Sequence, residues 1–93
     1  MPSAFDVVAE PARRRLLDLL LAAPRAVGEL AAATGMSQPN TSRHLRVLRE
    51  AGLVESRVAG RRRIYAIRPE GFAEVAQWLT PYALLWQRGR AGS

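Results

Sequence analysis

Apolar residues recur along the chain at helical spacing, are cut by proline and glycine, and switch once to a β-branched pattern. Ser3 can cap a short first helix running to about Glu10, and Pro11 suits the first turn of a second, where its missing N–H costs nothing. That second helix reads Ala12 to Ala23, with Leu16, Leu19, Leu20 and Ala23 on one face, Arg13, Arg14 and Asp18 largely on the other, and Pro24 ending it. Val27 to Thr34 predicts a short alanine-rich helix anchored by Leu30 and closed by Gly35. Ser37 then caps a helix over Gln38 to Ala51 that Gly52 stops. Leu53 to Val58 and Arg62 to Ile67 predict two strands joined through Ala59-Gly60-Arg61 as a hairpin. Pro69 opens a last helix, striped by Phe72, Val75, Ala76, Leu79, Ala83 and Trp86 to near Arg88, with a frayed tail from Gly89. Thr80-Pro81 interrupts it. The expectation is one helix bent at Pro81, the alternative a fresh short helix capped by Thr80.

Length and composition narrow the classes. Ninety-three residues suit one domain, and 48% apolar with 24% charged residues is the balance of a soluble globular chain. Absence of cysteine excludes a disulfide framework, a thiolate metal site and a cysteine nucleophile. Met1 to Glu10 lacks a basic segment followed by an apolar run. The longest greasy stretch, Leu16 to Ala23, is far short of the roughly 20 residues of a membrane span, so the expected location is cytoplasmic, without a membrane partner.

Charge adds direction. Every basic residue is arginine, and the net charge is +6. Seven arginines (43, 46, 49, 57, 61, 62 and 63) fall within Arg43 to Arg63 against only Glu50 and Glu55, so the surplus is concentrated in that block. A GC-rich genome accounts for the missing lysine but not for the clustering. A basic block on a near-neutral scaffold is the footprint of a polyanion, and arginine pairs bidentately with phosphate and guanine edges.

The order of elements is helix, helix, short helix, tight turn, basic helix, basic hairpin, helix. This is the layout of a winged helix-turn-helix: mainly α, about five helices and a two-stranded wing. The helix-turn-helix lies at about 27–51, the wing at about 53–67 and the last helix at about 69–88, all in a single domain, 1–93. Ala31, Gly35 and Met36 supply the small residue, the left-handed turn and the plug that such a paired-helix turn needs. Rotation by about 100° per residue puts Thr41, His44, Leu45 and Leu48 on the core side of the basic helix. Gln38, Asn40, Ser42 and Arg43 are thereby offered to base edges, while Ser37, Arg46 and Arg49 are better placed for phosphates. At the hairpin tip Arg61, Arg62 and Arg63 can straddle a minor groove or its phosphates.

These residues carry a resemblance. Ser37-Gln38-Pro39-Asn40-Thr41-Ser42-Arg43-His44-Leu45-Arg46-Val47-Leu48 resembles the S-Q-x-x-V-S-x-H-L-x-x-L signature of arsenic-repressor-type (ArsR) winged-helix regulators. Arg49-Glu50-Ala51-Gly52-Leu53-Val54 is similar to the family's R-x-A-G-L-V helix exit, and Gly60-Arg61 with Ile64-Tyr65 to its G-R-x-x-x-Y wing. Thr41 departs from the usual Val or Ile. The resemblance runs from about Phe5 to Trp86 and implies a homodimeric repressor of an inverted-repeat operator in double-stranded DNA. The dimer would be built on the first and last helices, here carrying Phe5, Val8, Trp78, Leu79, Tyr82, Leu85 and Trp86. The family's metal sites are not matched: Gly28, Glu29, Leu30, Ala31 and Ala32 stand at the thiolate position, and only Glu70 and Glu74 at the last-helix site. No metal and no cofactor are therefore expected, which leaves a small apolar effector, a partner protein or simple autoregulation as the unranked alternatives for release.

Competing readings are weaker. His44 on a core face reads as a packing residue. Trp78, Tyr82 and Trp86 read as core or subunit contact rather than a ligand pocket, because so short a chain struggles to bury two tryptophans. Arg13-Arg14-Arg15 reads as a solvated helix face. Catalysis finds no phosphate loop, no Ser-His-Asp set and no clustered carboxylates, so no enzyme is expected. A winged helix that docks protein would expose apolar side chains on the basic helix, and one that binds RNA would show stacking aromatics, where this basic block has only Tyr65.

Overall fold

A computed structural model describes residues 3–91. Helices α1 (Ala4–Val8) and α2 (Pro11–Ala22) lead into a two-residue strand β1 (Arg25–Ala26), followed by α3 (Val27–Thr34) and α4 (Gln38–Glu50). Strands β2 (Val54–Ala59) and β3 (Arg62–Ile67) come next, then a 3-10 turn, Pro69–Phe72, and the long α5 (Ala73–Ala91). All pairings are antiparallel, in the order β1-β3-β2. The chain is a winged helix-turn-helix, with three strands where the sequence pattern predicts two. The third escapes that pattern because Arg25 and Ala26 are extended only through pairing with Tyr65 and Ile64.

Local signals set most boundaries. Ser3 caps α1 with Asp6 in a reciprocal capping box, but the helix stops at Val8 rather than Glu10, because Pro11 begins α2 so soon after. Gly35, at φ +77°, donates its N–H to the Ala31 carbonyl oxygen and ends α3 as expected. After α4, Gly52 (φ +79°) donates to Arg49 O and Leu53 N–H to Leu48 O, the paired bonds of a Schellman motif that turns the chain into the wing. The hairpin closes through two residues, Gly60-Arg61, rather than three, because Ala59 pairs with Arg62. Gly60 at φ +65° before a residue of negative φ is the pattern of a type II′ turn.

The core gathers Val7, Leu16, Leu17, Leu20, Leu30, Leu45, Leu48, Leu53, Val54 and Tyr65. In α2 the buried face is Leu16, Leu17 and Leu20. Leu17 was outside the expected stripe, and Ala23 lies exposed beyond the helix. The last helix passes Pro81 without a break and continues to Ala91, so the tail expected to fray from Gly89 is helical that far, and its last two residues lie outside the described ones. Its first turn is instead the 3-10 segment. The molecule measures 51 × 27 × 21 Å with a radius of gyration of 15.1 Å, against about 12 Å for a compact chain of this length. The surplus comes from α5, whose outer half stands off the body. No helix among the described residues is long and apolar enough to cross a membrane.

Candidate nucleic-acid interface

The basic helix α4 presents two opposed faces. Thr41, Leu45 and Leu48 are buried, His44 is half-buried at their margin, and Ser42, Arg43, Arg46 and Arg49 are exposed. Ser37 caps the helix, its Oγ accepting the Asn40 N–H at 3.2 Å. Gln38 is exposed beside it. Asn40 is half-buried, and its Oδ1 accepts from Arg43 Nη2 at 2.5 Å, which ties two of the four expected base readers into one unit. Arg46 Nε lies 3.9 Å from Glu50 Oε1, a loose surface pair that leaves the guanidinium accessible. Burial, then the positive charges of Arg13 and Arg43, hold His44 below its ordinary pKa, with Glu10 opposing. Neutral histidine is thus favoured at the rear of the basic face.

The wing stands beside the start of α4. Between them runs a groove of about 540 Å³ lined by Gly28, Glu29, Gln38, Arg61, Arg62 and Arg63 among others, so the helix start and the hairpin tip share one cationic surface. Arg63 Nη1 donates to Ser56 Oγ at 3.1 Å across the hairpin. Arg62 reaches the opposite way, its Nη2 donating to Glu29 Oε1 at 2.5 Å. That carboxylate also accepts the Ala26 N–H at 3.0 Å, which lowers its pKa most, ahead of the Arg62 charge. Sequence reasoning missed the Glu29 contact. Its capping half, a glutamate three residues beyond the residue before the helix, is a readable signal. Its wing half is not.

Of the Arg13-Arg14-Arg15 face expected to be solvated, Arg14 and Arg15 are exposed and Arg13 is half-buried. Arg13, half-buried, donates from Nε to Val7 O at 2.9 Å, and Arg14 from Nη1 to Val8 O at 3.0 Å, closing the carboxyl end of α1. Guanidinium donors suit the orphan carbonyls of a helix end.

The remaining predicted residues form a separate apolar surface. Phe5 of α1 meets Trp78 edge-on at 5.9 Å, and Trp78 tilts against Tyr82 at 5.1 Å. Beyond them Leu79, Leu85 and Trp86 follow the same side of α5, with Trp78 57% and Trp86 67% exposed, while Val8 is half-buried near the body. Leu84, also exposed, was not anticipated. Among the described residues no group of three histidine or acidic side chains is placed to hold a metal ion.

Fold and surface together define a winged helix-turn-helix with an exposed cationic helix and a basic wing. The family model of bacterial regulatory proteins of the arsR family matches residues 10–56, and the chain belongs to that family. It is 39% identical over 89 residues to the HTH-type transcriptional regulator Rv2034 of Mycobacterium tuberculosis, covering 96% of this chain and 80% of the relative. The crystal structure of a possible transcriptional regulator for arsenical resistance superposes with a TM-score of 0.81 at 41% identity, over 88% of this chain and 85% of that one. The solution structure of the homodimeric winged helix-turn-helix DNA-binding domain Mb0332 of Mycobacterium bovis gives a TM-score of 0.69 at 33% identity, over 94% and 78%.

Proposed function

We propose that this chain is a cytoplasmic, homodimeric transcriptional repressor that binds an inverted-repeat operator in double-stranded DNA. The observation that carries the reading is the outer face of α4, where Gln38, Ser42 and Arg43 stand exposed over a buried Thr41-Leu45-Leu48 underside. A helix so presented fits a major groove about 12 Å wide. Arg43, held by Asn40, is the guanine reader and Gln38 the adenine reader. Ser37, Arg46 and Arg49 fall to the flanking phosphates, with the wing on the adjoining backbone or minor groove. The apolar side of α5, with Phe5, pairs two copies and sets their α4 helices about 34 Å apart, one turn of duplex. The homodimeric Mb0332 domain of the same fold supports that assembly.

Retention of genomic fragments by the purified protein, followed by titration on operator variants, tests this. Arg43→Ala should relax preference at one position per half-site, at about 1–3 kcal/mol of lost discrimination. If the dimer neutralises roughly ten phosphates, affinity should fall about 10⁴- to 10⁵-fold between 50 and 200 mM salt. Indifference to every duplex at low salt refutes the function.

A further inference from the structure

The three consecutive wing arginines are not equivalent. Arg63 is bonded to Ser56 within the hairpin, Arg62 to Glu29 of α3, and Arg61, among the described residues, has no side-chain partner. The Glu29 contact joins three elements through one oxygen. Oε1 receives the N–H of Ala26, the β1 residue paired with Ile64 of β3, and the guanidinium of Arg62, which lies just past the last position that β1 supports. From Arg62 outward the hairpin has no third strand. Among the hydrogen bonds and ion pairs of the described residues, this one alone ties its tip to the helix-turn-helix.

We infer that Glu29 is a positioning residue for DNA recognition, latching the wing to α3 through Arg62 so that the wing tip meets the duplex at a fixed distance from α4 while Arg61 takes the phosphate. The inference rests on the duplex-binding reading above. A pair this exposed, with Arg62 at 57% and Glu29 at 49%, adds little to folding stability, so its effect lies in geometry. A tip ordered in advance loses less conformational freedom on binding than one that must be ordered by the DNA. The carboxylate also stands in the groove shared with Gln38 and the wing arginines, where it would repel phosphate unless a cation neutralised it. Arg62 is therefore spent on Glu29 and is not a counterion-releasing contact. The Ala26 bond and the Arg62 charge hold Glu29 ionised to below its ordinary range, so the latch is charged at neutral pH.

Salt dependence separates the arginines, because each phosphate neutralised adds about 0.9 to the slope of log K against log salt. On a retained operator duplex, Arg61→Ala should flatten the slope by about 1.8 per dimer. The double variant Arg62→Ala/Glu29→Gln, which removes both charges of the pair and leaves no bare carboxylate, should leave it unchanged while lowering the ratio of operator to mixed-sequence affinity. Glu29→Gln, which keeps an oxygen for Ala26, should free Arg62, steepen the slope by about 1.8 and lower the same ratio. Glu55→Gln, the same charge change on exposed β2, should do neither. The inference is overturned if the double variant flattens the slope as Arg61→Ala does, or if Glu55→Gln matches Glu29→Gln. A second arm needs no DNA: limited trypsin digestion of the free chain should cut the wing several-fold faster in Glu29→Gln than in wild type, with cleavage after Arg88 as internal reference. Equal wing cleavage removes the latch itself, whereas a wild-type chain that ignores all duplexes removes the function on which it acts.

Discussion

Thr41 is fully buried in the underside of α4, yet its hydroxyl is satisfied, donating to Ser37 O at 2.8 Å beside the backbone bond from its own N–H. The similar family signature carries an aliphatic β-branched residue here, and the structure shows why threonine is tolerated: the polar atom turns back onto the helix cap. Thr41→Val should change unfolding free energy by no more than about 1 kcal/mol in denaturant titration, since the Ser37 carbonyl keeps its other donor. His44, one turn further on, behaves differently. Its folded pKa is depressed, so on acidification the unfolded chain takes up a proton before the folded one does. The stability this group contributes is complete above the ordinary histidine value and drains away as pH falls through the folded value. Thermal melts between about pH 7.5 and pH 5 should show a decline that His44→Gln reduces.

At the scale of elements, a tight crossing controls where the last helix begins. A Cβ on Gly71 would lie 2.0 Å from Gly52 O and 2.7 Å from its carbonyl carbon, so the 3-10 turn packs backbone to backbone on the end of α4. Neither side can yield as a flexible side chain would. Gly71→Ala should cost about 1–3 kcal/mol, read as a lower denaturant midpoint at unchanged slope. This contact was illegible beforehand because what Gly71 avoids is 19 positions earlier in the chain. The same division runs through the whole fold. The ends of α3 and α4 were readable at Gly35, Ser37 and Gly52, whose caps are local chemistry. β1 was not, since two residues carry no periodicity. The exposed face of α4 followed from helical rotation, and the wing arginines from their run. What each arginine touches depended on Glu29 and Ser56, partners supplied by folding rather than spacing.

The molecule as a whole is a compact body with an apolar arm. Aromatic and leucine side chains on the outer half of α5 have too little of their own chain to pack against, and the proposed dimer would cover them with a second copy. Trp86→Ala should weaken self-association, measured by sedimentation across low micromolar concentrations, while leaving the secondary structure intact by circular dichroism. An unchanged dimer would remove Trp86 from the contact. The placement of the two tryptophans has an optical corollary. Trp86 sits on the arm and Trp78 at its root against Phe5, while the buried aromatic of the body is a tyrosine, Tyr65. The Trp86 share of the indole emission should therefore report company rather than folding, shifting to the red as the solution is diluted, with every helix still formed.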